Sequence, residues 1–155
     1  FKKKIDSNSM YGRVELVGLD SKLADPNSVD AVITFRNLHN WLGPKMESIF
    51  KNSFVALKPG GIFGVVEHRA EPGTGIDLMK SSGYVTEELA IEVAIKSGFE
   101  LVAKSEINAN SKDTKNHPKG VWTLPPSLRL KDVDREKYSS IGESDRMTLL
   151  FRKPL

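Results

Sequence analysis

The stretch DAVITFRNLHNWLGPKMESIFKNSFVALKPGGIFGVVEHRA, residues 30–70, decides the fold. An apolar run at residues 30–35 is followed directly by the polar residues 36–40. A second apolar run, residues 62–66, is followed by Glu-His-Arg at residues 67–69. Continuous apolar runs of this length are typical of strands buried on both faces, as in parallel sheets. We therefore predict two parallel strands with a polar cluster after each.

The segment between the two runs has the spacing of an amphipathic helix. Met46, Phe50 and Phe54 recur every four residues and form one apolar stripe. The helix is predicted to run from Trp41 or Pro44 to about residue 57, where the sequence Lys-Pro-Gly-Gly ends it. The whole stretch therefore predicts a βαβ unit, and ligands bind at the carboxyl ends of strands in such sheets.

The remaining elements follow from the same signals. Thr86 is a predicted N-cap, and Gly98 ends the helix that it opens. The last two strands are joined by a long polar segment without a clear helix, which predicts an antiparallel pair at one edge of the sheet. The full assignment is the end of a helix at 1–6, a strand at 13–19, loops at 21–29 and 70–83, a strand at 99–107, a long loop at 108–145 and a strand at 146–152.

Composition excludes several classes of protein. A chain of 155 residues is long enough for one domain. It contains no run of 18 apolar residues and no cysteine, which argues against a membrane span, disulfides and thiolate metal sites. The net charge of +3 is small and dispersed, so we expect neither a nucleic-acid nor a membrane partner. The lack of cysteine agrees with a reducing compartment, and we expect the protein to be cytoplasmic.

Several motifs together resemble the C-terminal part of class I S-adenosylmethionine-dependent methyltransferases, and in particular predicted small-molecule methyltransferases. They are DAVITFRNLHN at 30–40, LKPGG at 57–61, VVEHRA at 65–70, SGFEL at 97–101 and TLLFRKP at 148–154. The resemblance covers residues 13–154 and is weakest over 108–145. It implies an α/β fold with a Rossmann-like, mostly parallel sheet and an antiparallel C-terminal strand, S-adenosylmethionine as the cofactor, and a small-molecule methyl acceptor.

The chain departs from that family in two respects. It has no G-x-G-x-G loop, and the acidic residue that grips the cofactor ribose in the family is missing. By order, residues 13–19, 30–35 and 62–66 match the third, fourth and fifth family strands. The chain starts with Phe1 rather than Met. We therefore expect a processed or partial methyltransferase that lacks the first strands of the sheet and is inactive alone.

The resemblance also implies roles for residues at the strand ends. Asp20, with its neighbour Ser21, matches the position that contacts the adenine. Phe35, Arg36 and Asn37 match the segment that packs the methionyl end of the cofactor, where an aromatic face suits a sulfonium cation. Arg36 is unusual beside a cation, and a carboxylate is its alternative ligand. The expected catalytic residues on the acceptor side are His39, His68 and Arg69.

The alternatives for these residues remain open. His39 either deprotonates the acceptor near neutral pH or caps and lines the pocket. Glu67, His68 and Arg69 are alternatively paired only with each other. Asp77 and Tyr84 are weaker candidates, and no metal is expected, since three scattered histidines, His117 among them, and no cysteine do not suggest a zinc site.

Other functions are carried as alternatives. The second hypothesis is a non-catalytic methyltransferase-like binding or scaffold module, and a nucleotide-binding dehydrogenase fragment is the third. The segment 108–145, with Trp122, Pro125 and Pro126, is either a lid, an acceptor-binding loop or disordered. Without the first family strand, residues 30–35 form an exposed apolar edge, which predicts a homodimer through that edge unless residues 13–19 occupy it.

Overall fold

The chain folds around one sheet with helices on one side. A computed structural model describes residues 2–19 and 21–155. None of the helices it describes is long and apolar enough to cross a membrane. The elements are helices α1 (Lys2–Asp6), α2 (Pro44–Ala56), α3 (Ile76–Ser82), α4 (Glu87–Lys96) and α5 (Arg135–Ile141), strands β1 (Val29–Phe35), β2 (Leu57–His68), β3 (Glu100–Ser105) and β4 (Arg146–Arg152), and short 3-10 helices at Ser9–Tyr11, Leu38–Asn40 and Gly120–Thr123.

The strand order is β1-β2-β4-β3. Strand β1 pairs with β2 in parallel, and β4 is antiparallel to both β2 and β3. Strands β1, β2 and β3 therefore point the same way, and only the C-terminal strand is reversed. This confirms the predicted mostly parallel sheet with an antiparallel last strand.

Helices α2 and α4 cover one face of the sheet, and the core lies between them. Side chains alternate along a strand, so Phe63 on β2 and Phe151 on β4 point into this core and are buried. The ring of Phe50 on α2 packs edge-on against Phe63 at 4.9 Å between centroids, and Phe99 lies 5.2 Å from Phe63 on its other side. The predicted apolar stripe of α2 is thus the surface that the sheet buries.

The opposite face of the sheet is open in the described part of the chain. Ile33 and Phe35 on β1 are 63% and 56% exposed. They border an apolar depression of about 280 Å³ that continues over Gly64, Val66 and Leu150. Burial of β1 on both faces was therefore a wrong expectation. The strand is apolar on both sides, but no described helix packs on the second.

Residues 13–19 do not form the predicted strand. Val14, Leu16 and Val17 are about half exposed, at 46%, 51% and 53%. A strand needs a neighbour that accepts its backbone hydrogen bonds, and among the described residues the backbone of this segment makes only local hydrogen bonds, at turns. It therefore does not occupy the outer edge of β1, which stays unpaired in the described chain.

The segment between β3 and β4 is folded. It contains the turn Gly120–Thr123 and helix α5. Gly120 has a φ of +55°, and a Cβ there would lie 2.1 Å from the carbonyl oxygen of Ser82 at the end of α3. Only glycine allows this approach, which brings the turn that carries Trp122 to the end of the sheet.

Candidate active site

A cavity of about 350 Å³ lies where the carboxyl ends of β1 and β2 meet. This is the edge at which the sheet topology predicts a ligand site. One wall comes from the residues that follow β1 and β2, and the other comes from the segment between β3 and β4. The lining residues are Phe35, Arg36, Asn37, His39, His68, Val121, Trp122, Pro125, Pro126, Ser127 and Arg146.

Arg36 turns the chain out of β1. Its φ is +56°, in the left-handed region that costs a side-chain-bearing residue free energy. Its backbone N–H donates to the carbonyl oxygen of Val66 at 2.7 Å, which ties the turn to β2. Strained backbone of this kind is concentrated at functional sites.

Glu67 is the buried acid beneath the cavity. Its side chain is fully buried. Its Oε1 accepts from the backbone N–H of His68 at 2.8 Å and lies 3.1 Å from Nδ1 of His39, and its Oε2 accepts from the backbone N–H of His39 at 3.3 Å. A buried carboxylate is tolerated only when it is hydrogen-bonded in this way. The contacts hold the turn after β1 against the end of β2.

His39 is oriented by Glu67. The carboxylate favours the tautomer with the proton on Nδ1, so Nε2 is left as a proton acceptor. Within residues 2–19 and 21–155 this second nitrogen has no hydrogen-bond partner, and the ring forms part of the cavity wall. Trp122 packs edge-on against it at 5.9 Å between centroids. An imidazole that is oriented by a carboxylate and has a free second nitrogen is the geometry that general-base catalysis requires.

His68 is the second histidine of the wall. Its Nδ1 lies 2.5 Å from the Oγ of Ser144, and its ring centroid is 5.5 Å from that of His39. Burial lowers the pKa of His68 to about 4, and the positive charges of Arg146 and Arg36 act in the same direction, against Glu67. His68 is therefore neutral at pH 7.

His39, Glu67 and His68 are also the described residues that could hold a metal ion. One ligand atom from each lies within 4.8 Å of the others. Two histidines and a carboxylate suit Zn²⁺. However, both oxygens of Glu67 already accept hydrogen bonds, and Arg36 and Arg146 add positive charge near the site. The electrostatics thus oppose a cation.

Residues expected to bind the cofactor provide one side of a site. Phe35 and Asn37 line both the main cavity and a second one of about 300 Å³ along β1. The second cavity is also lined by Thr34, whose buried Oγ1 has no hydrogen-bond partner among the described residues. An aromatic ring and unfilled polar atoms fit part of S-adenosylmethionine. The G-x-G-x-G loop is absent from the sequence, so these residues match only one side of the cofactor.

The other two predicted cofactor residues are not brought to this place. Asp20 lies outside the described residues. Ser21 is exposed, and its Oγ donates to the carbonyl oxygen of Gly18 at 2.8 Å. It lines neither cavity.

Arg69 is directed away from the cavity into a network of carboxylates. Its guanidinium donates to Asp145 at 2.8 and 3.0 Å, to Glu106 at 2.7 and 2.9 Å and to Glu87 at 3.1 Å. Hydrogen bonds to Glu106 and Asp145 raise its pKa well above its ordinary value. Arg69 follows His68 in the chain, and alternation places the two side chains on opposite sides. The arrangement gives Arg69 a structural role.

Of the two weaker candidates, Tyr84 belongs to a second buried cluster and Asp77 does not. The hydroxyl of Tyr84 donates to Asp113 at 3.0 and 3.1 Å, and Nε2 of His117 lies 2.8 Å from the same carboxylate. Asp77 is exposed in the first turn of α3. Arg146 lines the cavity and Ser144 contacts His68, but neither was predicted, because the sequence paired the last strand only with the strand before it and not with β2.

Comparison with known proteins supports the fold. No family model and no curated protein sequence matches the chain. Among solved structures, the [4+2]-cyclase SpnF superposes with a TM-score of 0.62 at 21% identity over 91% of this chain and 56% of that chain. A Galdieria sulphuraria protein, provisionally named a sarcosine dimethylglycine methyltransferase, gives 0.63 at 13% identity over 98% and 64%. A methyltransferase from Methanosarcina mazei gives 0.56 at 14% over 91% and 66%.

The chain thus spans less than two thirds of the length of each of these three structures. At this level of identity the likeness concerns the fold. It is the Rossmann-like α/β fold of S-adenosylmethionine-dependent methyltransferases, here with four strands of the sheet.

Proposed function

We propose that this chain is the acceptor-binding part of an S-adenosylmethionine-dependent methyltransferase that acts on a small molecule. The observation that carries the proposal is the His39–Glu67 pair in a cavity at the carboxyl ends of parallel strands. The volume of about 350 Å³ suits a small molecule.

Methyl transfer requires the protein mainly to align the acceptor and to remove its proton. The cofactor supplies an activated methyl group on a sulfonium. His39 takes the proton from the hydroxyl or amine of the acceptor at Nε2, and Glu67 stabilises the positive charge that the ring then carries. A positioned base of this kind contributes about 10²- to 10⁴-fold in rate. Trp122 and the adjoining prolines exclude water from the acceptor side.

Within residues 2–19 and 21–155, one wall is available for the cofactor, at Thr34, Phe35 and Asn37. We propose that the glycine-rich loop is supplied from outside these 155 residues, so the chain alone is inactive. Calorimetry with millimolar S-adenosylmethionine is expected to give no binding heat. Tight stoichiometric binding would contradict the proposed division of the site.

Weak binding at the remaining wall tests the proposal more directly. In ¹⁵N-labelled protein, S-adenosylhomocysteine at several millimolar is expected to shift the backbone amide signals of residues 34–37. The variant Asn37→Ala should reduce those shifts, and Asn116→Ala, in an exposed loop, should not. Amide shifts confined to other surfaces, or no shifts at the end of β1, would contradict the proposal that the chain is part of a methyltransferase.

A binding or scaffold module is the second candidate. The open apolar face with Ile33 and Phe35 and the unpaired edge of β1 favour it. SpnF is named as a cyclase although it has this fold, and a fold does not fix an activity. In this reading the chain forms a homodimer in which two β1 edges pair about a twofold axis.

Light scattering over a range of concentrations tests the dimer. The wild-type chain should show a mass that rises towards twice that of the monomer. Ile33→Lys places a charge on the exposed face beside the edge and should keep the chain monomeric, whereas Ile107→Lys, at an exposed residue in the turn after β3, should not. A monomer at all concentrations contradicts the dimer.

A further inference from the structure

We propose that the cavity binds a carboxylate carried by a small, flat apolar molecule, and that Arg36 and Arg146 are the residues that bind it. This inference deepens the proposed function and rests on it where the carboxylate belongs to the methyl acceptor. It names the acceptor class as an aromatic or similarly flat carboxylic acid.

The charge of the cavity wall is one-sided. Two of the lining residues are arginines, two are histidines, and none is an aspartate or glutamate. Glu67 lies beneath the wall and is fully buried, so it does not line the cavity. A wall of this sign favours an anion and disfavours a cation.

Both arginines have unfilled hydrogen-bonding capacity. The guanidinium of Arg36 has no partner among residues 2–19 and 21–155. Arg146 donates from Nη2 to Glu143, but its buried Nε has no acceptor in the described part of the chain. A buried unsatisfied donor is costly, and a planar guanidinium with spare donors matches a carboxylate.

The backbone places the two arginines around the same space. Arg146 opens β4 and lies opposite His68 in the ladder between β2 and β4. Arg36 follows β1 directly, and its backbone N–H donates to Val66, two residues before His68. The turn at Arg36 keeps a left-handed backbone, which is a strained way to place an arginine at the cavity mouth.

The opposite side of the cavity is flat and apolar. Trp122, Val121, Pro125 and Pro126 form it. The guanidinium of Arg129 lies 4.5 Å from the centroid of the Trp122 ring and fixes the orientation of the indole. A ring that enters the cavity packs against this surface while its carboxylate faces the arginines. The group to be methylated then lies beside His39.

The carboxylate could come from either of two molecules. It belongs to the methyl acceptor or to the amino-acid end of the cofactor. The test therefore compares phenylacetate, its neutral analogue phenylacetamide, and methionine, each titrated into the full 155-residue chain. Binding is followed by Trp122 fluorescence and by amide shifts, with Trp122→Phe showing which signal comes from that indole rather than from buried Trp41.

Phenylacetate is expected to bind at least about tenfold more tightly than phenylacetamide, since a charge-assisted pair is lost in the amide. Arg36→Asn and Arg146→Gln should each weaken phenylacetate by about ten- to a hundredfold and leave phenylacetamide unchanged. Arg152→Gln, at the far exposed end of the same strand β4, is the matched control and should change nothing.

Each other outcome has a definite meaning. Equal binding of acid and amide, or no binding of either up to tens of millimolar, overturns the carboxylate site. Methionine binding tighter than phenylacetate, and equally sensitive to both arginine variants, assigns the arginines to the cofactor and overturns the acceptor assignment. Phenylacetate binding without any S-adenosylhomocysteine shift at residues 34–37 keeps the carboxylate site and refutes the methyltransferase instead. Arg36→Asn, at an exposed residue, tests the site even where Arg146→Gln unfolds.

Discussion

Two buried carboxylates near the same end of the sheet, Asp113 and Glu67, have opposite roles. Asp113 accepts hydrogen bonds on both oxygens from Tyr84, His117 and the backbone of Lys115 and Asp145, and we call these five residues the Asp113 network.

Glu67 forms the other centre. Together with His39 and His68 it makes the Glu67 cluster, in which Nε2 of His39 remains free. The Asp113 carboxylate accepts from four groups of the described residues, whereas the Glu67 cluster lies beside Arg36 and Arg146, and the Nε of Arg146 has no acceptor in the described part of the chain. Saturated polar groups hold a structure together. Unsaturated ones at a cavity are available for a ligand.

The largest expected effect is the loss of the Asp113 carboxylate. Asp113→Asn keeps the shape but replaces one oxygen by an NH₂ group, which must then face a donor, because both oxygens accept. We expect a loss of about 3–5 kcal/mol in the free energy of unfolding, typical of breaking a buried charged network. Urea denaturation followed by circular dichroism measures it.

Asp132→Asn is the control for that experiment. Asp132 is exposed in the same segment, and the substitution should stay within about 0.5 kcal/mol of wild type. An Asp113→Asn protein as stable as wild type would mean that the network does not hold residues 108–145 in place.

The second effect is a pH dependence specific to the Glu67 cluster. The pKa of His68 falls from its ordinary value of 6.5 to about 4 in the fold, chiefly by burial. The unfolded chain therefore binds a proton at this residue between pH 6.5 and 4 while the folded chain does not, so stability falls as the pH drops through that window. The loss is on the order of 2–3 kcal/mol.

Melting temperatures of wild type and His68→Asn at pH 7 and pH 4.5 measure this loss. The variant should be less sensitive to pH over that interval, although its stability at pH 7 is lower.

The Asp113 network responds to pH in a different window. Hydrogen bonds from Arg69, Asn110 and Lys115 lower the pKa of Asp145 to about 2 against the opposing effect of burial, so its contribution is lost below pH 3.8. Identical pH profiles of wild type and His68→Asn would contradict the assignment of this pH dependence to His68.

The sequence predicted the elements that carry a regular local pattern and missed those that do not. Helix α2, helix α4 with its Thr86 cap and strand β4 were predicted, because each carries a regular apolar pattern with clear end signals. Helices α3 and α5 were missed, since each buries a single residue, Met79 or Tyr138, and so has no apolar stripe.

The same limit applies to the site. His39 and His68 were candidates from their places at the ends of two strands, and Phe35, Arg36 and Asn37, to which the resemblance assigned the cofactor, line the same cavity. The partners of these residues depend on long-range contacts. Glu67 pairs with His39 across 28 residues and Ser144 with His68 across 76, and no local pattern encodes either distance. The strand predicted at residues 13–19 was wrong for a related reason, because an apolar pattern does not by itself provide a neighbouring strand to pair with.

A third prediction compares the two carboxylates by the same chemical change. Glu67→Gln should cost about 1–2 kcal/mol, less than Asp113→Asn, because the NH₂ group can take the Oε2 position. The only donor to Oε2 among the described residues is the backbone N–H of His39, at a long 3.3 Å. Urea denaturation of both variants side by side measures the difference. An equal or larger loss for Glu67→Gln would remove the distinction drawn between the clusters.

The smallest effect has the opposite sign. Arg36 holds a left-handed backbone at φ +56°, and asparagine adopts that conformation more easily. Arg36→Asn should therefore stabilise the fold by about 0.5–1 kcal/mol while it weakens phenylacetate binding. Lys131→Asn is the matched control, since Lys131 has a φ of +57° and is exposed away from the cavity. It should give a similar gain in thermal stability with unchanged binding. A stabilised Lys131→Asn beside a destabilised Arg36→Asn would show that the Arg36 side chain supports the fold and is not free for a ligand.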